Sequence, residues 1–179
     1  NKYDRAMAYI NAQDYEAAYT LLDGLNYEDS EEKRESIKPQ YYEILLSRAS
    51  AGDTVSFGSY EQDGDESNGK EEIKWIVLEK EADRILVISE SVLDHQPYNT
   101  VCTDVTWSNC SLRQWLNDEF LNAAFTEQEK AAIPVVDVSA DENPKYSTDP
   151  GSATQDKIFL LSIEEVSRYF SSDSAMSSC

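Results

Sequence analysis

The chain has 179 residues, and its composition excludes several classes of protein. Lys and Arg number 15 against 35 Asp and Glu, which gives a formal net charge of -20. A surface this acidic repels phosphate backbones and anionic lipid, so we expect no nucleic-acid partner. No apolar run is long enough to cross a bilayer, and we expect no membrane insertion. The 40% of hydrophobic residues suffice for one core, or for one core and a small appendage.

The first 48 residues have the hydrophobic periodicity of helices. Apolar side chains recur at helical spacing on both sides of a break at residues 11–14, which predicts a helical hairpin. A further helix is predicted from about residue 30 to 48, bent or restarted at Pro39. The hairpin resembles a tetratricopeptide repeat at its packing positions, which are Ala6, Tyr9, Ala12, Tyr15, Ala18, Leu22 and Leu25. One such repeat cannot bury its own faces, so we expect it to pack on further repeats or on the next helix.

From residue 52 the hydrophobic period changes to two, which is typical of strands. Alternating apolar residues predict strands near 55–60 and 73–77, and a hairpin that turns at 81–83 into a third strand at 85–88. The polar segment 61–72 contains oxygen-bearing side chains and glycine, as calcium loops do. Its spacing fails the EF-hand pattern, so we expect a solvated turn and no metal site.

The stretch 107–125 contains four large aromatic residues and three leucines, and we expect it to dominate the core. Ser111 and Gln114 have the form of a capping box, which predicts a helix that starts at Leu112. Arg113 then lies in the first turn, where the helix dipole disfavours a cation. We therefore expect Arg113 to have a fixed partner, such as a buried carboxylate or a carbonyl.

Four further elements are predicted after residue 125. Capping-box pairs predict short helices after Thr126 and after Ser162, the first of which ends at Pro134. Apolar runs predict strands at 135–139 and 157–161. Turn-forming residues fill 141–152, and the last nine residues lack periodicity and are expected to fray.

Three cysteines, Cys102, Cys110 and Cys179, and the single histidine His95 lack the spacing of a zinc site, so no metal or cofactor is predicted. The sequence is compatible either with free thiols or with a disulfide between Cys102 and Cys110. A thiol near the only histidine raises the hypothesis of a nucleophile. The spacing does not establish their contact, so no catalytic residue is assigned.

Several separated motifs resemble one family of uncharacterised bacterial domains. They are G-D-T-V-S-F-G-S-Y at 52–60, S-N-G-K-E-E-I-K-W-I-V-L at 67–78, L-D-H-Q-P-Y-N at 93–99, W-S-N-C-S-L-R-Q-W-L-N at 107–117 and K-I-F-L-L-S at 157–162. In this order they resemble DUF6273, a family that is common in gut Firmicutes and often joined to repeats. The resemblance implies a domain at 52–179 that follows a tetratricopeptide-like segment at 1–48.

Members of that family continue into segments that resemble the closing strands of C-type-lectin-like and formylglycine-generating-enzyme-like folds. The resemblance therefore implies an α+β fold with antiparallel strands, of which this chain holds an incomplete part. Because residue 1 is Asn, we expect a fragment or a processed form. The composition fits either side of a bacterial membrane, and a role in binding a glycan or a protein favours a location outside the cytoplasm.

Three functional hypotheses follow from these observations. The first is a non-enzymatic binding module for a glycan or a protein, presented by the helical arm, with Tyr98, Trp107, Arg113 and Tyr146 as candidate ligand contacts. Aromatic residues at helical spacing, such as Trp115, are more often core. The second is an enzyme of the formylglycine-generating-like fold that uses Cys102 or Cys110 as its thiol. The third is a structural adaptor that binds proteins through the helical arm.

Overall fold

The computed structural model describes residues 1–170 and is a mixed α+β structure, as predicted. The regular elements in chain order are α1 (Lys2–Asn11), α2 (Tyr15–Leu22), α3 (Ser30–Arg48), β1 (Thr54–Tyr60), β2 (Glu71–Lys80), β3 (Ile85–Ser89), a 3-10 turn (Trp107–Asn109), α4 (Ser111–Trp115), a π turn (Leu116–Phe120), α5 (Leu121–Ala124), α6 (Glu127–Ala132), β4 (Val136–Val138), β5 (Thr154–Asp156) and α7 (Ile163–Tyr169). The predicted fraying of 171–179, and with it the state of Cys179, lies outside the described residues.

The chain divides into two compact units. The first contains Asn1–Val55 and Val77–Val87, and the second contains Ser56–Ile76 and the chain from Ile88 onward. Strands β1, β2 and β3 form a three-stranded antiparallel sheet in that order, and β4 pairs with β5. No helix among residues 1–170 combines the length and the apolar character needed to span a bilayer.

Helices α1, α2 and α3 pack around one small core in the first unit. Its buried side chains come from all three helices: Ala6, Ala18, Tyr19, Leu22 and Ile37. The ring of Tyr41 in α3 stacks on Tyr19 with centroids 4.0 Å apart, so the next helix covers the predicted hairpin. Helix α3 runs unbroken from Ser30 to Arg48 with Pro39 inside it, so the predicted restart at Pro39 is absent. Packing of Ile37 and Tyr41 on either side of Pro39 offsets the backbone hydrogen bond that proline removes.

The second unit is built on the predicted aromatic stretch. Phe120, Leu121 and Phe125 are buried together with Ile73 of β2. Gly58 in β1 lies against Phe125 with a φ of +77°, and a Cβ added there would come within 2.5 Å of the phenylalanine ring. Only glycine adopts that conformation easily and leaves room for the ring, so β1 approaches the helices closely at this point.

The predicted capping box at the start of α4 is wrong. Cys110 is the N-cap, and its Sγ accepts a hydrogen bond from the Arg113 N–H at 3.4 Å. Ser111 is the first helical residue, and its hydroxyl instead accepts from the backbone N–H of Thr100 at 2.9 Å. The hydroxyl serves a residue of another segment, which the local capping pattern does not reveal. The predicted boxes at α6 and α7 are both present.

The predicted strand at 157–161 is also wrong. The strand lies earlier, at Thr154–Asp156, and pairs with β4, the predicted strand near 135–139. The Asn117 side chain, in the π-helical segment, binds the backbone of Lys157 and Ile158, the two residues that follow β5. Its Oδ1 accepts from the N–H groups of Lys157 and Ile158 at 2.8 and 3.2 Å, and its Nδ2 donates to the Ile158 carbonyl at 2.8 Å. One amide side chain thus replaces a strand partner there.

Candidate functional site

A long loop at residues 90–106 connects β3 to the 3-10 turn and contains no helix or strand. Structureless loops longer than about 12–15 residues in compact domains are usually either functional or disordered. The hydrogen bonds of this loop show that its backbone is ordered. They hold it to the second unit at two places.

The first anchor is Asp94, near the start of the 90–106 loop. Its Oδ2 accepts a hydrogen bond from the Tyr60 hydroxyl at 2.5 Å, and its Oδ1 accepts from the His95 N–H at 2.6 Å. Partial burial and this hydrogen bond to Asp94 raise the pKa of Tyr60 to about 12. Tyr60 therefore stays a neutral donor throughout the physiological pH range.

The second anchor joins the middle of the loop to the start of α4. Asn99 Oδ1 accepts from the Ser111 N–H at 3.0 Å, and its Nδ2 donates to the Val101 carbonyl at 2.8 Å. The Leu112 N–H donates to the Tyr98 carbonyl at 3.2 Å. The loop thereby satisfies N–H groups that the first turn of a helix leaves without partners.

Three large hydrophobic side chains project from this anchored backbone into solvent. Val92 is 69% exposed, Val101 is 63% exposed and Tyr98 is 44% exposed. Among the described residues, seven of the eight exposed large hydrophobic side chains lie between residues 92 and 163, the others in that range being Val135, Tyr146, Leu160 and Ile163. Single exposed apolar residues are ordinary, so the three on the 90–106 loop are of interest because they share one segment of the chain.

Two of the predicted contact residues meet at one buried carboxylate. The Arg113 Nε donates to Asp156 Oδ1 at 2.7 Å, and the Trp107 indole N–H donates to Asp156 Oδ2 at 3.0 Å. The Asp156 side chain is only 1% exposed and also accepts from the Thr154 hydroxyl. Asp156 is thus the fixed carboxylate partner expected for Arg113. The geometry assigns Arg113 and Trp107 a role in holding β5 against the 3-10 turn and α4.

The other two predicted contact residues are exposed but separate. Tyr146 is 65% exposed in the segment between β4 and β5, and the Lys145 ammonium lies 5.1 Å from its ring centroid. No hydrogen bond or ring contact joins Tyr146 to Tyr98 within residues 1–170. Trp115 packs on Phe120 with ring centroids 5.4 Å apart, so it belongs to the core.

Two of the thiols and the single histidine lie in the described part of the chain, in different surroundings. Cys102 and Cys110 are free thiols, so the alternative of a disulfide between them is absent. Cys110 is buried, and Cys102 is exposed on the 90–106 loop. Burial and the neighbouring Cys110 raise the pKa of Tyr98. No hydrogen bond among residues 1–170 joins the His95 ring to either thiol.

Three carboxylates converge beside the loop that connects β1 and β2, at residues 61–70. Glu61, Asp63 and Glu71 place ligand oxygens within 4.8 Å of one another, an arrangement that suits a hard cation such as calcium. Each carboxylate already accepts a backbone N–H, from Gly64, Asp65 and Gln62 respectively. Asp63 and Glu71 stand at positions one and nine of the EF-hand pattern, whereas Glu61 precedes it and was therefore missed. Exposed carboxylates with these partners do not by themselves define a metal site.

Two open clefts also lie on the described surface. One, of about 240 Å³, is lined by Gln62, Glu71, Glu72, Lys74, Glu90 and Ser91. The other, of about 650 Å³, is formed where α2 leads into α3 and is lined by residues 24–26 and 28–32. Small-molecule sites are mostly enclosed and apolar, and neither cleft has that character.

Comparison with known proteins gives one match. A family model described as "Domain of unknown function (DUF6273)" matches residues 82–178, whereas the motifs at 52–60 and 67–78 lie outside that range. No curated protein and no solved structure matches the chain significantly. The predicted domain boundary at residue 52 stays a prediction. The match covers more than half of the chain and includes the whole 90–106 loop, and the chain therefore belongs to the DUF6273 family.

Proposed function

We propose that the family domain is a non-enzymatic binding module whose ligand is a protein, and that the 90–106 loop is its contact surface. One observation carries the proposal: exposed apolar side chains project from a loop whose backbone is firmly anchored. Burying a large apolar side chain stabilises a protein by about 1.5–3 kcal/mol, so folding alone favours burial of Val92 and Val101. A bound partner provides that burial.

The anchors explain why these side chains stay outside. Asn99 and Thr100 bind Ser111, so the backbone between Tyr98 and Val101 cannot rotate inward without breaking those hydrogen bonds. A loop that is already ordered also loses little conformational entropy when it binds, and this raises affinity. A rigid loop with exposed apolar groups suits recognition better than a disordered loop of the same composition.

The side-chain types favour a protein over a glycan. Sugar rings stack on aromatic faces, and Tyr98 is the one aromatic residue in the 90–106 loop. Val92 and Val101 offer aliphatic surface, which matches the apolar centre of a protein interface. Tyr146 remains a candidate for a second contact, and presentation of the domain by the helical arm at 1–48 remains part of the proposal.

The alternative of a thiol enzyme lacks comparable support. That chemistry needs a solvent-reachable thiolate with a base or a cation beside it. Cys110 is buried, and no hydrogen bond joins Cys102 to an acid–base group among the described residues. Binding is therefore the function that the arrangement favours.

The proposal is tested with the purified chain, screened in parallel against a random peptide display library and a glycan array. Selected peptides should lose at least about fivefold in affinity with Val101→Ser, because truncating a residue central to an interface costs about 1–2 kcal/mol or more. The matched control is Val135→Ser, which alters a similarly exposed valine outside the loop and should leave affinity unchanged.

Two results would count against the proposal. Peptides that bind the two valine variants equally well would place the contact surface elsewhere. Binding confined to the glycan array, with loss in Tyr98→Ala or Tyr146→Ala, would replace the protein ligand by a glycan.

A further inference from the structure

We infer that the partner of the 90–106 loop presents Lys or Arg side chains around an apolar centre. This inference rests on the proposed function and specifies the chemistry of its ligand. It begins from the charges of the loop itself. Residues 90–106 contain Glu90, Asp94 and Asp104, and they contain no Lys or Arg.

The acidic side chains of the loop are exposed and lack cationic partners within the protein. Glu90, Asp94 and Asp104 are all solvent-exposed. None of them forms an ion pair with Lys or Arg within residues 1–170, whereas Glu127 pairs with Lys130 at 2.5 Å on the surface of the same unit. Their negative charge is therefore available to a partner.

The 240 Å³ cleft extends this acidic border at the start of the loop. Glu90 and Ser91 line the cleft together with Glu71 and Glu72 of β2, and Lys74 is the cation among its lining residues. The next residue along the chain is the exposed Val92. An apolar group of the loop thus adjoins a surface on which carboxylates outnumber the cation.

Interfaces commonly combine an apolar centre with a polar rim, and complementary charges on that rim select the partner. Val92, Tyr98 and Val101 supply exposed apolar groups along this loop, and Glu90, Asp94 and Asp104 supply exposed carboxylates along the same loop. The net charge of -20 adds a long-range field that attracts cationic surfaces and repels acidic or phosphorylated ones. A basic and apolar segment of protein satisfies both features.

The full chain first selects peptides from a random display library. Each selected peptide is then synthesised in two versions, one with its Lys and Arg residues intact and one with Gln in place of every Lys and Arg. Association rates are measured at about 0.1 M and about 1 M salt, which shortens the Debye length from about 10 Å to about 3 Å. The basic peptides should associate at least about tenfold more slowly at high salt, because electrostatic steering is screened. The Gln versions should show a much smaller change.

Variants of the chain separate the rim from the apolar centre. Glu90→Gln with Asp104→Asn should lower the association rate for basic peptides, whereas Val101→Ser should chiefly raise their dissociation rate. The matched control is Glu119→Gln with Glu164→Gln, which removes the same number of exposed charges outside the loop and should leave the association rate closer to the wild-type value.

The two levels of the proposal fail differently. One result would overturn the basic partner and retain the binding module. In that case the selected peptides depend on Val101, lack Lys and Arg, and bind equally fast at both salt concentrations. Peptides that bind without dependence on Val101 would overturn the binding surface, and the basic partner with it.

Discussion

The 61–70 loop and the 90–106 loop belong to the same unit, and both are acidic and exposed, but their hydrogen bonds go to different places. In the 61–70 loop the Asp63 and Asp65 carboxylates accept N–H groups two residues further along the chain. In the 90–106 loop, Asp94 and Asn99 bind distant residues, Tyr60 and Ser111. The carboxylates of the first loop bind near neighbours, and its end is held by the Lys70 ammonium, which donates to the Ala123 carbonyl; the second loop is tied to its unit by Asp94 and Asn99 and exposes apolar groups. Of the two loops, the 90–106 loop is therefore the one that suits the proposed contact role.

The largest effect is expected at the buried carboxylate of Asp156, which Trp107 contacts just after the end of the 90–106 loop. Asp156→Ala leaves the Trp107 N–H and the Arg113 guanidinium without their acceptor, and should lower the free energy of unfolding by about 3 kcal/mol. Urea denaturation measures the change. Asp104→Ala, which removes an exposed and unpaired carboxylate of the loop, should stay within about 0.5 kcal/mol. Similar losses in both variants would show that Asp156 is not a structural anchor.

A smaller effect is expected at the middle of the 90–106 loop. Asn99→Ala removes hydrogen bonds to Ser111 and Val101 and should destabilise the protein by about 1–2 kcal/mol. Hydrogen exchange of the amides around residues 98–101 should accelerate. In the 61–70 loop, Asn68→Ala removes one exposed contact to Asp63 and should leave Tm unchanged. Unchanged exchange in Asn99→Ala would contradict the anchored state of the 90–106 loop.

Tyr60→Phe tests the other anchor, and its effect should depend on pH. The hydrogen bond to Asp94 is exposed to water, so its loss should cost about 1 kcal/mol, below the usual range for charged acceptors. Because the folded pKa is raised from 10.0 to about 12, the stabilisation is fully present below pH 10 and is lost as pH rises through 12. Unfolding curves of the two proteins should therefore converge in strong alkali. Tyr146→Phe removes an exposed tyrosine hydroxyl outside the anchor, serves as the control, and should leave the free energy of unfolding at neutral pH unchanged.

The smallest effect is expected inside the 61–70 loop. The Ser67 hydroxyl and backbone N–H lower the pKa of Asp65 below its ordinary value of 3.8. Its stabilisation is therefore present above 3.8 and is lost as pH falls through the lower folded pKa. Asp65→Asn should shift Tm least of the four variants at neutral pH, and should not shift it in strong acid. If Asp65→Asn lowered Tm as much as Asn99→Ala does, the 61–70 loop would be as important for stability as the 90–106 loop, which contradicts the comparison.

The features that the sequence predicted correctly are the local ones. The capping boxes after Thr126 and Ser162 involve residues three positions apart, and the β2–β3 hairpin follows from alternation and a short turn. The α+β class and the aromatic core follow from hydrophobic patterning, which burial enforces.

The features that escaped prediction depend on distant partners. Asn117 binds residues some forty positions later, so an apolar run at 157–161 resembled a strand although an amide side chain holds its start. The Ser111 hydroxyl was wrongly predicted to cap its own helix, because its contact with the Thr100 N–H forms only when the loop folds back.

The candidate site was predictable only in part. Tyr98 and Tyr146 are exposed, as a contact role requires, whereas Trp107 and Arg113 serve Asp156, which no local pattern connects to them. Val92 and Val101 were overlooked, since a valine in an irregular segment carries no periodic signal. The signal that could have indicated them is the presence of apolar residues in the long segment 90–106, which has neither helical nor strand periodicity.

Because Asn117 holds the residues just after β5, the pairing of β4 with β5 need not depend on the length of the segment that connects these two strands. Val138 pairs with Thr154 on one side, and Asn117 fixes Lys157 and Ile158 just beyond, so both ends of the intervening chain are held independently of its length. The cost of closing a loop rises only slowly with the number of residues. Residues 141–149, which include the exposed Tyr146, are therefore a suitable place to graft a foreign peptide or a fluorescent tag without shifting the strands on either side.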